Sequence, residues 1–300
     1  MFEGKVGALT ANAQPIADHD RESAPIMDLS GMISGGRSDR RSKFAPYFVS
    51  RDGKFALYQG DSPSVLPALD VAQGADLVFA DPPYFLSNGG ITCHSGRMVP
   101  VHKGNWDRLR TVDQMHEFNV TWLAASRGIL QSDGALWVSG TRHVIFSVGY
   151  AMQQLGMKLL NEITWEKPNP PPNLSCRFFT HATETLLWAA KSAKSKHTFN
   201  YQDMRRENGG KQMKSVWRMQ SPGRSEKALG SHPTQKPLAL LERIVLASSR
   251  PGDLVVDPFV GSGTTGLAAI KHGRRFVGVD LDPEFLDLAR LRYEALISRL

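Results

Sequence analysis

The sequence predicts a doubly wound, mostly parallel α/β sheet of the Rossmann-like kind, and three observations carry that expectation. Apolar runs and amphipathic stretches alternate almost throughout, as expected of parallel strands covered by helices on both faces. Between one such strand and helix lies Asp257-Pro258-Phe259-Val260-Gly261-Ser262-Gly263-Thr264-Thr265-Gly266, with Asp280 closing the next strand. That is a full G-x-G-x-x-G followed about 20 residues later by a strand-end acid, the spacing of a nucleotide-binding turn. A third run, Ala75 to Ala80, ends on Asp81-Pro82-Pro83-Tyr84 and reads as a buried strand opening into a stiff turn.

Taken in order, Phe55–Tyr58 is the first expected strand, ending at Gly60-Asp61, and Ser62–Leu69 a short helix. The Ala75–Ala80 strand delivers Asp81. Residues 85–109 mix Gly, Ser and scattered charge without a period, and a loop of that length is usually a functional lid. Phe118, Trp122, Ala125 and Ile129 fall at helical spacing, so 113–130 is a helix with Asp113 as its expected cap. Ala135–Ser139 is a strand, and a helix runs from about His143 to Leu155. Strands Ile163–Trp165 and Thr185–Ala189 flank the proline run 167–173, which predicts a hairpin whose reversed strand lies at one edge of the sheet. Pro237 opens a helix to Ser248. Strand Leu254–Val256, helix Thr264–His272, strand Phe276–Val279 and helix Pro283–Leu300 close the chain.

Residues 1–43, rich in Ser, Gly, Asp and Arg, are expected to be a disordered tail. The rest is expected to be one domain: a catalytic half (44–190), an inserted basic recognition segment (191–236) and a cofactor-binding half (237–300). The net charge is +7, and the stretch from Lys191 to Lys236 alone holds eleven Lys or Arg against three acids. One segment therefore supplies the whole basic balance, as expected of a surface that meets a polyanion. Two cysteines with no clustered His or Cys give neither a disulfide framework nor a metal site. No apolar run is long enough for a membrane span, and acids near the start argue against a targeting peptide, so the expected compartment is the cytoplasm.

The two strand ends carry the chemistry. The prolines of 81–84 remove two backbone donors, leaving carbonyls to point at a ligand, while Asp81 adds an acceptor and Tyr84 a ring on which a planar base could stack. At the glycine turn, Asp257 would repel a pyrophosphate but suits the ammonium and sulfonium of S-adenosylmethionine, which favours that cofactor over a nicotinamide dinucleotide.

The 81–84 tetrapeptide, residues 257–265 and His232-Pro233-Thr234-Gln235-Lys236-Pro237, in that order, resemble the β class of DNA amino-methyltransferases over roughly residues 44–295. Asn169–Asn173, Arg177–His181 and Glu184 are similar to members that modify adenine in GATC or GANTC. The likeness is greatest to the companion adenine methyltransferases of DpnII-type restriction systems. The resemblance implies S-adenosyl-L-methionine as cofactor and DNA as substrate, with a homodimer and a cognate restriction endonuclease as further partners. It implies that Asp257, Phe259, Gly261, Ser262, Gly263 and Thr264 surround the methionine part of the cofactor. Asp280 would take the ribose, Asp61 would lie near the adenine, and Lys236 would meet the cofactor's carboxylate. Asp81, Pro82, Pro83 and Tyr84 would act on the target base. Lys103 and Arg108 in the lid, with Lys211, Lys214, Arg218 and Arg224, would meet the DNA. His232 and His181 read as a turn residue and a packing residue, not as catalysts. Cytosine N4 methylation, an RNA or protein-amide substrate, a nicotinamide oxidoreductase and a non-catalytic DNA-binding module remain the alternatives.

Overall fold

A computed structural model describes residues 44–299 except 72, 86–90, 95–96, 101–110 and 231, and gives backbone alone for 91–94 and 97–100. The expected tail and the lid cations Lys103 and Arg108 lie outside the described residues. In chain order the elements are β1 (Phe48–Val49), β2 (Phe55–Gln59), α1 (Ser62–Val65), β3 (Ala75–Ala80), β4 (Ile91–His94), β5 (Arg97–Pro100), α2 (Val112–Ile129), β6 (Leu130–Gly140) and α3 (Ile145–Gln154). There follow β7 (Lys158–Glu166), β8 (Thr183–Ala190), α4 (Tyr201–Glu207), β9 (Val216–Arg218), α5 (Leu238–Ser248), β10 (Leu254–Asp257), α6 (Thr264–Lys271), β11 (Arg275–Asp280) and α7 (Pro283–Ile297).

Nine strands form one sheet in the order β1-β2-β11-β10-β3-β6-β8-β7-β9. The run from β2 to β6 is parallel, and β8 is antiparallel to both β6 and β7. From β10 the chain winds outward through α6 to β11; from β3 it winds the other way through α2 to β6. The order therefore reverses between β10 and β3, which pair through Val255–Leu77 and Val256–Val78. Ligands of open α/β sheets bind outside the carboxyl ends at such a switch. Asp257 and Asp81 stand at those two ends.

The reversed strand is less peripheral than the hairpin pattern suggests. β8 is interior, with β7 outside it and β9, from the basic segment, pairing parallel to β7 as the true edge. Aromatic packing accounts for this. Trp137 on β6 stacks on Trp188 of β8 at 4.9 Å and 13°, and Trp217 of β9 packs on Trp137 at 5.8 Å. Trp217 is 6% exposed, and burying a side chain of that size stabilises by about 3 kcal/mol. This anchors a segment that is otherwise polar and basic. Across the sheet, Trp122 and Leu123 of α2 cover Val78 and Val138.

One capping expectation is corrected. α2 is capped by Thr111, whose hydroxyl accepts the Gln114 N–H while Gln114 Oε1 accepts the Thr111 N–H. This reciprocal box satisfies two otherwise orphaned donors. Asp113 lies in the first turn, where its charge suits the helix dipole.

Candidate active site

The glycine turn after β10 is shaped by steric demand. Gly263 sits at φ +79°, and a Cβ there would lie 2.7 Å from Ala289 Cβ. One turn on, a Cβ at Gly266 would meet the Phe55 ring at 2.6 Å, so its absence lets α6 lie directly on the sheet. The Gly261 N–H donates to Asp280 Oδ2 at 2.8 Å, and the Asp282 N–H donates to Asp280 Oδ1 at 3.0 Å. The acid ending β11 is thereby fixed against the turn, and burial raises its pKa. Arg292 of α7 donates to the Ser262 carbonyl at 2.5 Å and to Thr264 Oγ1 at 3.0 Å, holding the turn from behind.

A cavity of about 400 Å³ opens in front of this turn. Asp61, Asp81, Asp280 and Asp282 line it, with Phe85, Phe118, Phe259 and Phe285 among its apolar walls. Such a space fits a cationic, adenosine-bearing molecule: flat rings for a base, acids for ribose hydroxyls and for positive charge. Phe259 is braced edge-on by Trp122 at 5.3 Å. Phe85, directly after the tetrapeptide, adopts φ +55°, a conformation costly for a bulky residue. It is held there by burial and by Phe118, 5.5 Å away and edge-on.

Asp257 does not line the cavity. It is 3% exposed, with Oδ2 accepting the Thr265 hydroxyl at 2.5 Å and Oδ1 the Phe259 N–H at 2.9 Å. Burial raises its pKa to about 7. Asp257, expected to suit the cofactor's cations, here clamps the turn, and the acids lining the cavity are Asp61, Asp81, Asp280 and Asp282.

Lys236, expected at the cofactor's carboxylate end, meets the other strand end in this structure. Its ammonium is instead 2.5 Å from Asp81 Oδ2, with the two side chains 6% and 12% exposed. It also donates to the Tyr84 hydroxyl at 3.2 Å and to the Thr234 carbonyl at 3.3 Å. The other Asp81 oxygen, Oδ1, accepts from Tyr84 OH and Ser139 Oγ, each at 2.5 Å. Glu184 of β8 stands 3.6 Å from Lys236 and is also paired with Lys167. Burial alone would lower the Lys236 pKa, but Asp81 and Glu184 outweigh it and raise it. Burial would likewise raise that of Glu184, yet the two lysines hold it below the ordinary value. The result is a half-buried alternating chain, Lys167–Glu184–Lys236–Asp81.

Tyr84 is also placed differently from a stacking platform. Its ring is 5% exposed and its hydroxyl turns inward to Asp81, because a buried phenol needs a partner. Burial, then the charges of Asp81 and Glu184, push its pKa well above 10, so it remains a donor. Pro82 is buried, whereas Pro83 joins Phe85 on the cavity wall.

His232 has the expected turn role: Nδ1 accepts the Thr234 N–H at 3.3 Å, and the ring also lines the cavity beside Phe285. His181 departs from the packing role. It is exposed on the β7–β8 loop, its Nε2 accepting from Arg142 at 2.6 Å. Lys211, Lys214, Arg218 and Arg224 are all exposed around β9, and Arg218 has a loose pair with Glu166 at 3.6 Å. Sequence reasoning missed Ser139, Thr265 and the use of Lys167 and Glu184 as a charge chain. Ser139 carried a faint signal, a lone polar residue at the end of an apolar strand.

The profile of the N6/N4 DNA methylase family, described as "DNA methylase", matches residues 75–291. The chain is 50% identical over 251 residues to the type II methyltransferase M2.DpnII of Streptococcus pneumoniae, covering 83% of this chain and 92% of that one. Among solved structures it is similar to the M1.HpyAVI complex with S-adenosylmethionine, at 26% identity and a TM-score of 0.61, over 80% of this chain and 98% of that one. The cytosine-N4-specific PvuII DNA methyltransferase shares the fold at 21% identity and a TM-score of 0.65, over 84% of this chain and 90% of that one.

Proposed function

The chain belongs to the N6/N4 DNA methylase family, as a site-specific DNA methyltransferase dependent on S-adenosylmethionine, and from that premise we propose that it methylates N6 of a flipped-out adenine, in GATC, at Asp81. The observation that carries the reading is the state of that carboxylate. An ionised carboxylate has about four lone-pair directions. Tyr84 and Ser139 fill the two on Oδ1 and Lys236 fills one on Oδ2. One direction is left, enough to accept one amino hydrogen and set the orientation of the nitrogen.

The adenine amine is a poor nucleophile because its lone pair is delocalised into the ring. The cofactor supplies an electrophilic methyl on a sulfonium centre. Asp81, with the Pro82 carbonyl as second acceptor, would favour a more tetrahedral nitrogen as the methyl arrives, stabilising the transition state without prior deprotonation. Once methylated, that nitrogen is cationic and acidic, so its proton passes readily to Asp81 or to water. Lys236 keeps Asp81 aimed throughout. Phe259, Asp61, Asp280 and the 261–264 turn would hold the cofactor, with Asp257 and Thr265 bracing that turn.

The target base lies inside a duplex and must be extruded, at a cost of a few kcal/mol. The exposed cations of the 191–236 segment, beside the catalytic half, would repay part of this through phosphate contacts. Adenine is favoured over cytosine by Asp81, since the resembling class more often carries Ser there for cytosine. A cognate restriction endonuclease in the same system and a homodimer are part of the same proposal. Expression in a methylation-free host followed by genome-wide mapping of modified bases tests the proposal. N6-methyladenine confined to GATC is expected, and N4-methylcytosine would overturn it.

A further inference from the structure

The loop between β7 and β8 presents an aromatic ring that the reaction above does not use. Phe179 is 97% exposed and its neighbour Phe178 57%. A single exposed ring needs no explanation by itself; here, however, the loop is tied down so as to present it. Pro170, Pro171 and Pro172 stiffen the approach. Asn173 then knots the turn: its side-chain N–H donates to the Phe178 carbonyl at 2.5 Å, and its Oδ1 accepts from the Ser175 N–H at 3.1 Å and the Ser175 hydroxyl at 2.7 Å. Cys176 takes a left-handed φ of +52° within that knot. The base of the loop is closed by the Lys167 N–H on the Ala182 carbonyl at 2.7 Å. Phe178 leans on His181 at 5.6 Å, and His181 is held in turn by Arg142.

The loop is also joined to the catalytic carboxylate. Lys167 at its start and Glu184 just past its end belong to the charge chain that reaches Asp81 through Lys236. The same loop carries exposed Arg177, two residues before Phe179, and exposed Arg142 reaches it through His181. An apolar ring on a preorganised loop, with an arginine on the same loop and rooted where a base must leave its stack, has the chemistry of an intercalating wedge.

Building on the DNA-methyltransferase reading, we propose that Phe179 enters the base stack of duplex DNA and fills the space vacated by the extruded target base, with Arg177 on the adjacent phosphate. A ring without polar edge groups stacks on any base, so the wedge contributes to extrusion and not to sequence choice.

The test compares Phe179→Ala with the wild type on a duplex and on a single strand of the same sequence, since a single strand has no stacked vacancy to fill. The duplex kcat/KM is expected to fall about tenfold more than the single-strand value, which corresponds to about 1.4 kcal/mol. Phe179→Trp should retain the wild-type ratio. In parallel, duplex DNA carrying 2-aminopurine at the target position should brighten on binding the wild type and brighten less with Phe179→Ala. Equal loss on both substrates, no loss on the duplex, or a wild type active on single strands alone would each overturn the wedge. A wild type that methylates neither strand form would overturn the underlying enzymatic reading instead.

Discussion

Replacing Lys236 by Met tests the half-buried charge chain, because the structure predicts how the damage should be repaired. Lys167, Glu184, Lys236 and Asp81 sum to zero charge. Lys236→Met leaves the set at −1, Asp81→Asn leaves it at +1, and the double substitution restores zero with Lys167 and Glu184 still paired. Both partners of the central pair are nearly buried, so little solvent screening applies. Stranding one charge of a buried pair costs about 3–5 kcal/mol, which lowers the melting temperature of a chain this size by on the order of 10 °C. The double variant should melt above either single variant. Turnover should fall by roughly 10–100-fold in Lys236→Met, the worth of one charge-assisted hydrogen bond at about 1.5–3 kcal/mol, while calorimetry shows cofactor affinity little changed. Additive losses in the double variant would refute the coupling. Weakened cofactor affinity with kcat at saturating cofactor unchanged would return Lys236 to the cofactor's carboxylate end.

Further outcomes follow from the same geometry. Ser139→Ala removes one of the two donors on Asp81 Oδ1 and should lower kcat by roughly tenfold, as expected for a hydrogen bond to a charged group; unchanged steady-state turnover would exclude Ser139 from orienting Asp81. Asp257 has a folded pKa of about 7 against an ordinary 3.8, so on raising the pH the unfolded chain ionises first. The cofactor-free protein should therefore lose stability between those two values, by up to about 4 kcal/mol at 1.36 kcal/mol per pKa unit, and then level off. Asp257→Asn should flatten that slope in urea titrations across the window, and a slope that persists would assign it to other groups. Neutralising Lys211, Lys214 and Arg218 together should reduce the salt slope of duplex binding by about 3, at roughly 0.9 per phosphate contact; an unchanged slope would remove that face from the DNA interface.

Much of this molecule is legible in its sequence because the signals are local. The glycine turn forecasts its own strand, helix and acid, since Gly263 answers to Ala289 and Gly266 to Phe276 within the same stretch of chain, although Gly266 also answers to Phe55 far earlier in it. The tetrapeptide after Ala80 forecasts a site for the same reason. What escaped depends on neighbours that strand order alone supplies. Ser139 meets Asp81 because β6 pairs with β3, and Lys236 meets it because a motif 155 residues further along the chain packs against that strand end. Trp217 shows the same limit: it lies in a polar, basic stretch, yet its packing on Trp137 makes that stretch the edge of the sheet. The setting of Asp257 was hidden for a different reason. Its charge was legible but its burial was not, and burial decides whether a carboxylate faces a ligand or braces a turn.

The central claim is that Asp81 directs methyl transfer to the amine of adenine. The most direct test incubates unmethylated DNA with S-adenosylmethionine and either the wild type or Asp81→Ala, then digests the DNA to nucleosides and identifies the methylated base. The wild type should yield N6-methyladenine, and Asp81→Ala should yield none while still binding the cofactor. N4-methylcytosine from the wild type, or near-normal N6-methyladenine from Asp81→Ala, would contradict the account.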